Sequence, residues 1–492
     1  MVKIFKCILC IFLLGLISFI FGCSESKAES LKVSPLFSDN MILQQNEPIR
    51  IWGTSEREGD TVTAVMGNSI GSCTVTDGQW EIELAARCYS DEALTLEVYD
   101  NKGSYESFEN IMIGDVWWIL GQSNVEFTSS ATDEFEEFTK TISGNEKIRT
   151  VLIKTDSFKE NKIIWRSFSR YSTYDSSAIG TFFIKNISDG VSNEIPLAII
   201  NMGFGGREIA DFLPRGEIYE SVLSHMEKMP IAGIIWYQGE SDAEKHISYA
   251  KKLKTFLQLL REKKSSIFPV YSVELPPCFN NAGNENWQYA DFGLVRGESC
   301  GLTAEVSEFY VCPTGDLWRN KEYENNIHPN NKTVIAQRLA VMILSKEYGF
   351  GNEEMYFGPL VKNISYDGEN RKKVIIEFSY TGEGICGEKE GLELFNDSFM
   401  KIRDFTFYIS GKNKIILSAD VDIAAVRYGT DTDAVFPKDR NLASSYNIPA
   451  PAFSYTLSRK TTSESSRHII LTLCFAAVLI TILAAAIKKG LK

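Results

Sequence analysis

Histidine is scarce in this chain, with four among 492 residues. Any acid–base chemistry that relies on imidazole must therefore use one of a very small set. No CxxC pair and no Cys/His cluster is present, so the sequence offers no metal site and none is expected. Basic runs are missing too, and the formal net charge is −13. That balance excludes a nucleic-acid partner, which needs clustered Lys and Arg against phosphate. No repeat of fixed period is visible, and nothing marks a groove for a long acyl chain.

What is present is an ordinary globular composition, 44% hydrophobic and 23% charged, long enough for two or three domains with full cores. Both ends are apolar. Residues 1–28 carry Lys3 and Lys6, then an apolar stretch, then small residues, the layout of a secretory signal peptide. Ser26 and Ala28 suit a signal peptidase, while Cys23 offers an alternative lipidation site. Residues 469–487 form an unbroken apolar run of nineteen residues. At 1.5 Å per residue that reaches roughly 28 Å, about one hydrocarbon core, so it is expected to be a transmembrane helix. A polar stalk at 457–468 precedes it. The expectation is a membrane-anchored ectodomain that lies outside the cytoplasm, held by a single C-terminal span. Cys73 and Cys88 lie on successive strand-like segments, which leaves open one disulfide between them or free thiols throughout.

Residues 31–112 read as all-β. Short alternating segments such as "NEPIRIWGTS" and "QWEIEL" are separated by Gly, Asp and Asn, and Asp77-Gly78 is a two-residue hairpin signal. An N-terminal β-sandwich follows. From 113 the apolar runs no longer alternate: "VWWIL", "IPLAIINMG", "IAGIIWYQG" and "FPVYSVEL" are strands buried on both faces. Helical patterns at 249–264 and 331–349 lie between or after them, which predicts a parallel sheet in an α/β domain over 113–348. Alternation returns at 355–456 as a C-terminal β module.

Ligands of parallel α/β sheets bind beyond the carboxyl ends of the strands. Three predicted strand exits end in glycine-bearing polar turns: Gly121-Gln122-Ser123-Asn124, Gly203-Phe204-Gly205-Gly206-Arg207 and Gln238-Gly239-Glu240-Ser241-Asp242. Ser123 at a helix start fits a nucleophile whose developing charge is favoured there, and equally fits a helix cap. A nucleophilic serine needs a base. His468 borders the apolar C-terminus, and His225 and His246 lie in helix-like segments. His328, kept out of helix by Pro329, sits in a loop before the last helix and is the best candidate. The Ser123 N–H, the Gly205 N–H and the Gln238 amide are donors of the right type for an oxyanion.

Assembled, these blocks resemble the sialate O-acetylesterase family, a carbohydrate-esterase branch of the SGNH hydrolases. "PLFSDNMILQQNEPIRIWGTS" resembles its opening sandwich, "IGDVWWILGQSNVEF" its nucleophile block, "IPLAIINMGFGG" its glycine block, "IAGIIWYQGESDA" its third block and "NNIHPNNK" its histidine block. The resemblance implies a three-layer flavodoxin-like domain and hydrolysis of acetyl esters of sugars, with sialic acid favoured and no cofactor. It implies Ser123 as nucleophile, His328 as base, an oxyanion hole from Ser123, Gly205 and Gln238, and Asn124, Glu240 and Asp242 as supports.

Three departures stand out. Where the family carries an aspartate shortly before the histidine, this chain has Asn325 and Asn326. Asn326 can orient an imidazole but cannot offset its charge, so reduced activity is expected unless Asp316, Glu322, Glu324 or Glu240 supplies a carboxylate. Phe204 replaces a common tryptophan. Arg207 replaces a small hydroxyl residue and could clamp a sugar carboxylate. The alternative is a catalytically silent sugar-binding protein on the same fold, with Trp117, Trp118, Trp236, Tyr237 and Trp318 available to stack on sugar rings.

Overall fold

The computed structural model describes residues 31–142, 144, 147–275, 292–317, 327–430 and 442–457. The segments expected to be a signal peptide and a transmembrane helix, 1–28 and 469–487, lie outside the described residues. Among the described residues, no helix is long and apolar enough to cross a membrane.

Two sheets form the N-terminal part. Leu31–Val33, Ile49–Ser55 and Gln79–Leu84 make one. Thr61–Met66, Ser69–Thr74, Ser90–Asp100 and the first half of Tyr105–Gly121 make the other. Alternation is one-sided, as the sequence pattern predicts: Ile49, Ile51, Ile82, Leu84, Val62 and Ala64 point into a shared core. Asp77 and Gly78 both have positive φ, 52° and 70°, as a two-residue turn of this type needs. The hairpin is only one bridge long, Thr76 to Gln79, because its two strands diverge into opposite sheets. The disulfide between Cys73 and Cys88 is absent, and both thiols are free. Cys73 packs against the core while Cys88 is exposed beyond Leu84, so the two face different surroundings.

Strand β1 (Tyr105–Gly121) does not stop at the expected boundary near 112. Exposed and partly buried positions alternate as far as Asn110, and every residue from Ile111 to Gly121 is buried. One strand therefore belongs to both parts, and the change of environment falls inside it rather than in a linker. It is the centre of the parallel sheet, flanked by β3 (Leu197–Gly203) and β4 (Gly233–Tyr237). Beyond β3 lies β2 (Ile148–Leu152), and beyond β4 lie β5 (Val270–Val273) and β6 (Phe309–Cys312). A short antiparallel strand, Arg166–Ser167, edges β2. The class is α/β.

Helices cover the sheet. Tyr249–Lys264 coincides with its predicted range, and Thr333–Lys346 falls within 331–349. Both turn their apolar faces, among them Leu253, Phe256, Leu339 and Ile343, into the same core. The C-terminal part holds two four-stranded antiparallel sheets over a separate apolar cluster. It is stitched to the α/β part by buried polar contacts. Arg296 donates to Gly429 O at 2.7 Å, the Ala452 N–H donates to Glu274 at 2.8 Å, and the Tyr455 hydroxyl donates to Gly301 O at 2.7 Å.

Candidate active site

Register brings the three polar turns together. Gly121 at the end of β1 stands opposite Gly203 of β3 on one side and Tyr237 of β4 on the other. The chain therefore leaves three adjacent strands at one level, where the topology switches direction. Close approach at this edge requires glycine. A Cβ on Gly121 would lie 2.0 Å from Tyr237 O, and one on Gly203 would lie 2.3 Å from the backbone N of Glu126.

Ser123 opens the short helix α1 (Ser123–Glu126), and the cap position belongs to Gln122, whose side chain makes no capping bond. The cap reading of Ser123 therefore fails. Its Oγ instead lies 2.7 Å from Nε2 of His328, 205 positions along the chain. Being first in the helix, Ser123 also has a backbone N–H without an intrahelical acceptor. Burial lowers the His328 pKa, and the nearby Lys332 ammonium lowers it further. The imidazole is thus held neutral and able to accept a proton from the serine. His225 is elsewhere, stacked on Phe158 at 4.7 Å.

Asn124 is fully buried and makes three contacts. Its Nδ2 donates to Glu240 Oε1 at 2.6 Å and to Ile327 O at 3.0 Å, and its Oδ1 accepts from Lys332 Nζ at 2.6 Å. It joins the Ser123 turn to the His328 loop. Glu240 is buried, and desolvation pushes its carboxyl above the usual range, opposed by the Asn124 bond and by Lys332. Gln122 Oε1 faces the amides of Gly239 and Ser241 at 3.4 and 3.3 Å and so braces the turn after β4.

Three expected roles change. The Gly205 N–H donates to the Glu126 carboxylate at 3.0 Å, so in this state that donor is occupied. Gln238 donates to Asp242 Oδ2 at 2.7 Å and to Arg207 O at 3.0 Å. Both are buried, and a buried amide must place its hydrogens on nearby acceptors, so Gln238 works here as a brace and not as an oxyanion donor. Asp242 also accepts from the Ile209 N–H at 2.8 Å, tying the second and third turns together. Arg207 is held by Glu217 through two contacts, 2.9 and 2.6 Å, so its guanidinium already has a carboxylate partner.

Of the carboxylates considered for His328, Asp316 is bound to Arg338 at 2.7 and 2.5 Å. Glu322, Glu324, Asn325, Asn326 and Trp318 lie outside the described residues. Trp117, Trp118, Trp236 and Tyr237 are 1% exposed or less, so they are core residues and cannot stack on a sugar. Sequence reasoning missed Glu126 and Lys332. Charged residues on either side of an apolar run read as solvated, and only the fold shows Lys332 at 0% exposure, bonded to the neighbour of Ser123.

A family model described as carbohydrate esterase, sialic acid-specific acetylesterase, matches residues 113–340. The similarity to that family is carried by these residues, the part of the chain that holds Ser123 and His328. The fold is also found in a solved structure over most of the chain. A carbohydrate acetylesterase of Xanthomonas citri superposes with a TM-score of 0.66 at 22% identity, covering 86% of this chain and 99% of its own. A family two carbohydrate esterase of Clostridium thermocellum, solved with cellohexaose, aligns weakly, with a TM-score of 0.28 at 11% identity over 62% of this chain and 94% of its own. No curated protein matches the chain by sequence.

Proposed function

We propose that this esterase is a carbohydrate O-acetylesterase in which Ser123 attacks the acetyl carbonyl and His328 is the general base, on a three-layer flavodoxin-like domain. The observation that carries the reading is the 2.7 Å contact between Ser123 Oγ and His328 Nε2 at the edge where three strands of an acetylesterase-family domain end. As the serine oxygen bonds to the carbonyl carbon, its proton passes to Nε2. The negative charge on the carbonyl oxygen faces the Ser123 N–H at the start of α1 and, once Glu126 gives way, the Gly205 N–H. The imidazolium then returns the proton to the departing sugar oxygen, leaving acetyl-Ser123. Water, deprotonated by the same imidazole, releases acetate.

Acetylated sialic acid is the favoured substrate, since Arg207 lies beside the second turn and a guanidinium matches a sugar carboxylate if Glu217 releases it. The sequence pattern of the two apolar ends supports an ectodomain displayed outside the cytoplasm on a C-terminal anchor. The test is acetate release from a panel of acetylated glycans, sialic acids included, by the wild type and by Ser123→Ala. Ser123-dependent release from any sugar acetate supports the reading. Equal rates in the two proteins refute it.

A further inference from the structure

We propose that Lys332 is a positioning residue for the Ser123–His328 pair, fixing the nucleophile turn, the third strand exit and the histidine loop as one buried unit. The inference rests on the acetylesterase reading and goes beyond it to a residue outside the nucleophile, base and oxyanion roles.

Lys332 lies just before the last helix and is 0% exposed. Its ammonium reaches Asn124 Oδ1 at 2.6 Å and lies 5.0 Å from the centre of the Phe127 ring. An ammonium can only donate, so this contact dictates which way the Asn124 amide faces. With Oδ1 on Lys332, the NH₂ group must face Glu240 Oε1 and Ile327 O, the two acceptors it meets at 2.6 and 3.0 Å. Reversing the amide would set a carbonyl oxygen against both of them and an NH₂ group against the ammonium. Lys332 thus selects the one orientation in which a single amide links the neighbour of Ser123 to the neighbour of His328.

The charge matters as well as the hydrogen bond. Glu240 and Lys332 face each other across Asn124, and each opposes the other's burial: Lys332 favours the Glu240 carboxylate, and Glu240 favours the ammonium, although burial still pulls the Lys332 pKa down to about 7. The groups acting on Lys332 are Glu240 from the turn after β4, Asn124 and Phe127 from the nucleophile segment, and His328 from its own loop; Asp242 acts more remotely, through Glu240. Against His328 the ammonium works in the sense opposite to a triad aspartate. It disfavours the imidazolium and keeps the base free to lower pH.

A purely structural pair would explain the burial but not this effect on His328, and the two are separable. Lys332→Met alone strands a buried carboxylate and risks misfolding. The double variant Lys332→Met/Glu240→Gln removes both charges while keeping the hydrogen bond from Asn124, and should retain the wild-type melting temperature to within a few degrees. With the full-length protein and an aryl acetate, we expect the double variant to lose at least about tenfold in kcat with KM changed less than about threefold, since small misplacements of a reacting pair cost up to about 10²-fold. Its acid limb should move to higher pH, because His328 has lost a neighbouring cation. A double variant with wild-type kcat and an unmoved acid limb overturns the proposal. So does a loss in the single variant that the double variant restores along with stability. Ser123→Ala measured in parallel separates the two readings: if it matches the wild type, the nucleophile assignment fails and this inference fails with it.

Discussion

Replacing Asn124 with alanine gives the sharpest test of the buried link behind the site. The residue is 0% exposed, so water cannot substitute for what is lost. Three partners lose their bond at once: the Lys332 ammonium, the Glu240 carboxylate and the Ile327 carbonyl. Hydrogen bonds to charged groups are worth about 1.5–3 kcal/mol each and a neutral one about 1 kcal/mol. The sum is about 4–7 kcal/mol, a large share of the ~5–15 kcal/mol that holds a domain together. Urea unfolding followed by tryptophan fluorescence reads it directly, since Trp117, Trp118 and Trp236 report from inside this sheet. The midpoint should fall strongly with the slope unchanged. Asn124→Asp should be comparably destabilised near neutral pH, because it turns two donors into acceptors facing Glu240 and Ile327 O. It should recover as acid protonates one of the two carboxyls. A loss below about 1 kcal/mol for Asn124→Ala would show that the three contacts are not coupled, and the reasoning from burial would be wrong.

Three other outcomes are expected. His328 must be neutral to act, and burial with Lys332 lowers its pKa, so kcat/KM should hold from neutral pH down to below the ordinary imidazole value of about 6.5 before it falls; a fall centred above that value contradicts the assignment. Gly203→Ala would place a methyl group 2.3 Å from the backbone N and 2.6 Å from the Cα of Glu126, neither of which is a flexible end, so expression or melting temperature should drop together with activity. Stability and rates equal to the wild type would show that α1 can shift freely. Glu217→Ala frees the Arg207 guanidinium and should lower KM for acetylated sialic acid while leaving a neutral acetylated sugar unaffected; unchanged KM for both removes Arg207 from substrate recognition.

Ser123 and His328 were legible as candidates because each is marked by backbone chemistry as well as by residue type. Ser123 follows a glycine at the end of an apolar run, and Pro329 keeps His328 out of the helix that follows. Their meeting could be expected only because strand exits of a parallel sheet share one edge. What could not be read was the allocation of donors. Gly205 and Gln238 are the right kinds of group, yet which acceptor each one meets depends on side chains from other turns, Glu126 for the first and Asp242 and the Arg207 carbonyl for the second. Lys332 illustrates the same limit: a lysine before an amphipathic helix has the local pattern of a surface residue, and its partners, Asn124, Phe127 and Glu240, come from the turns that follow β1 and β4. The expected boundary at 112 falls inside β1, where alternating exposure gives way to full burial, since periodicity reports which faces are covered and says nothing of continuity.

That continuity has a practical consequence. At about 3.3 Å per residue the seventeen residues of β1 span roughly 56 Å, so a single extended segment acts as a splint running from the leading module into the catalytic edge. Its midpoint is gripped from the side, with Met112, Ile113 and Gly114 paired to Ile42, Leu43 and Gln44, while Gln44 and Gln45 both donate to the carboxylate of Asp115. Excising the first eighty or so described residues would not release an independent hydrolase but would bare a raw hydrophobic flank beside its central strand. Removal by protease or by gene truncation should therefore yield aggregates in place of a smaller enzyme, and the leading sheets are better regarded as the handle of a single tool than as an attachment to it.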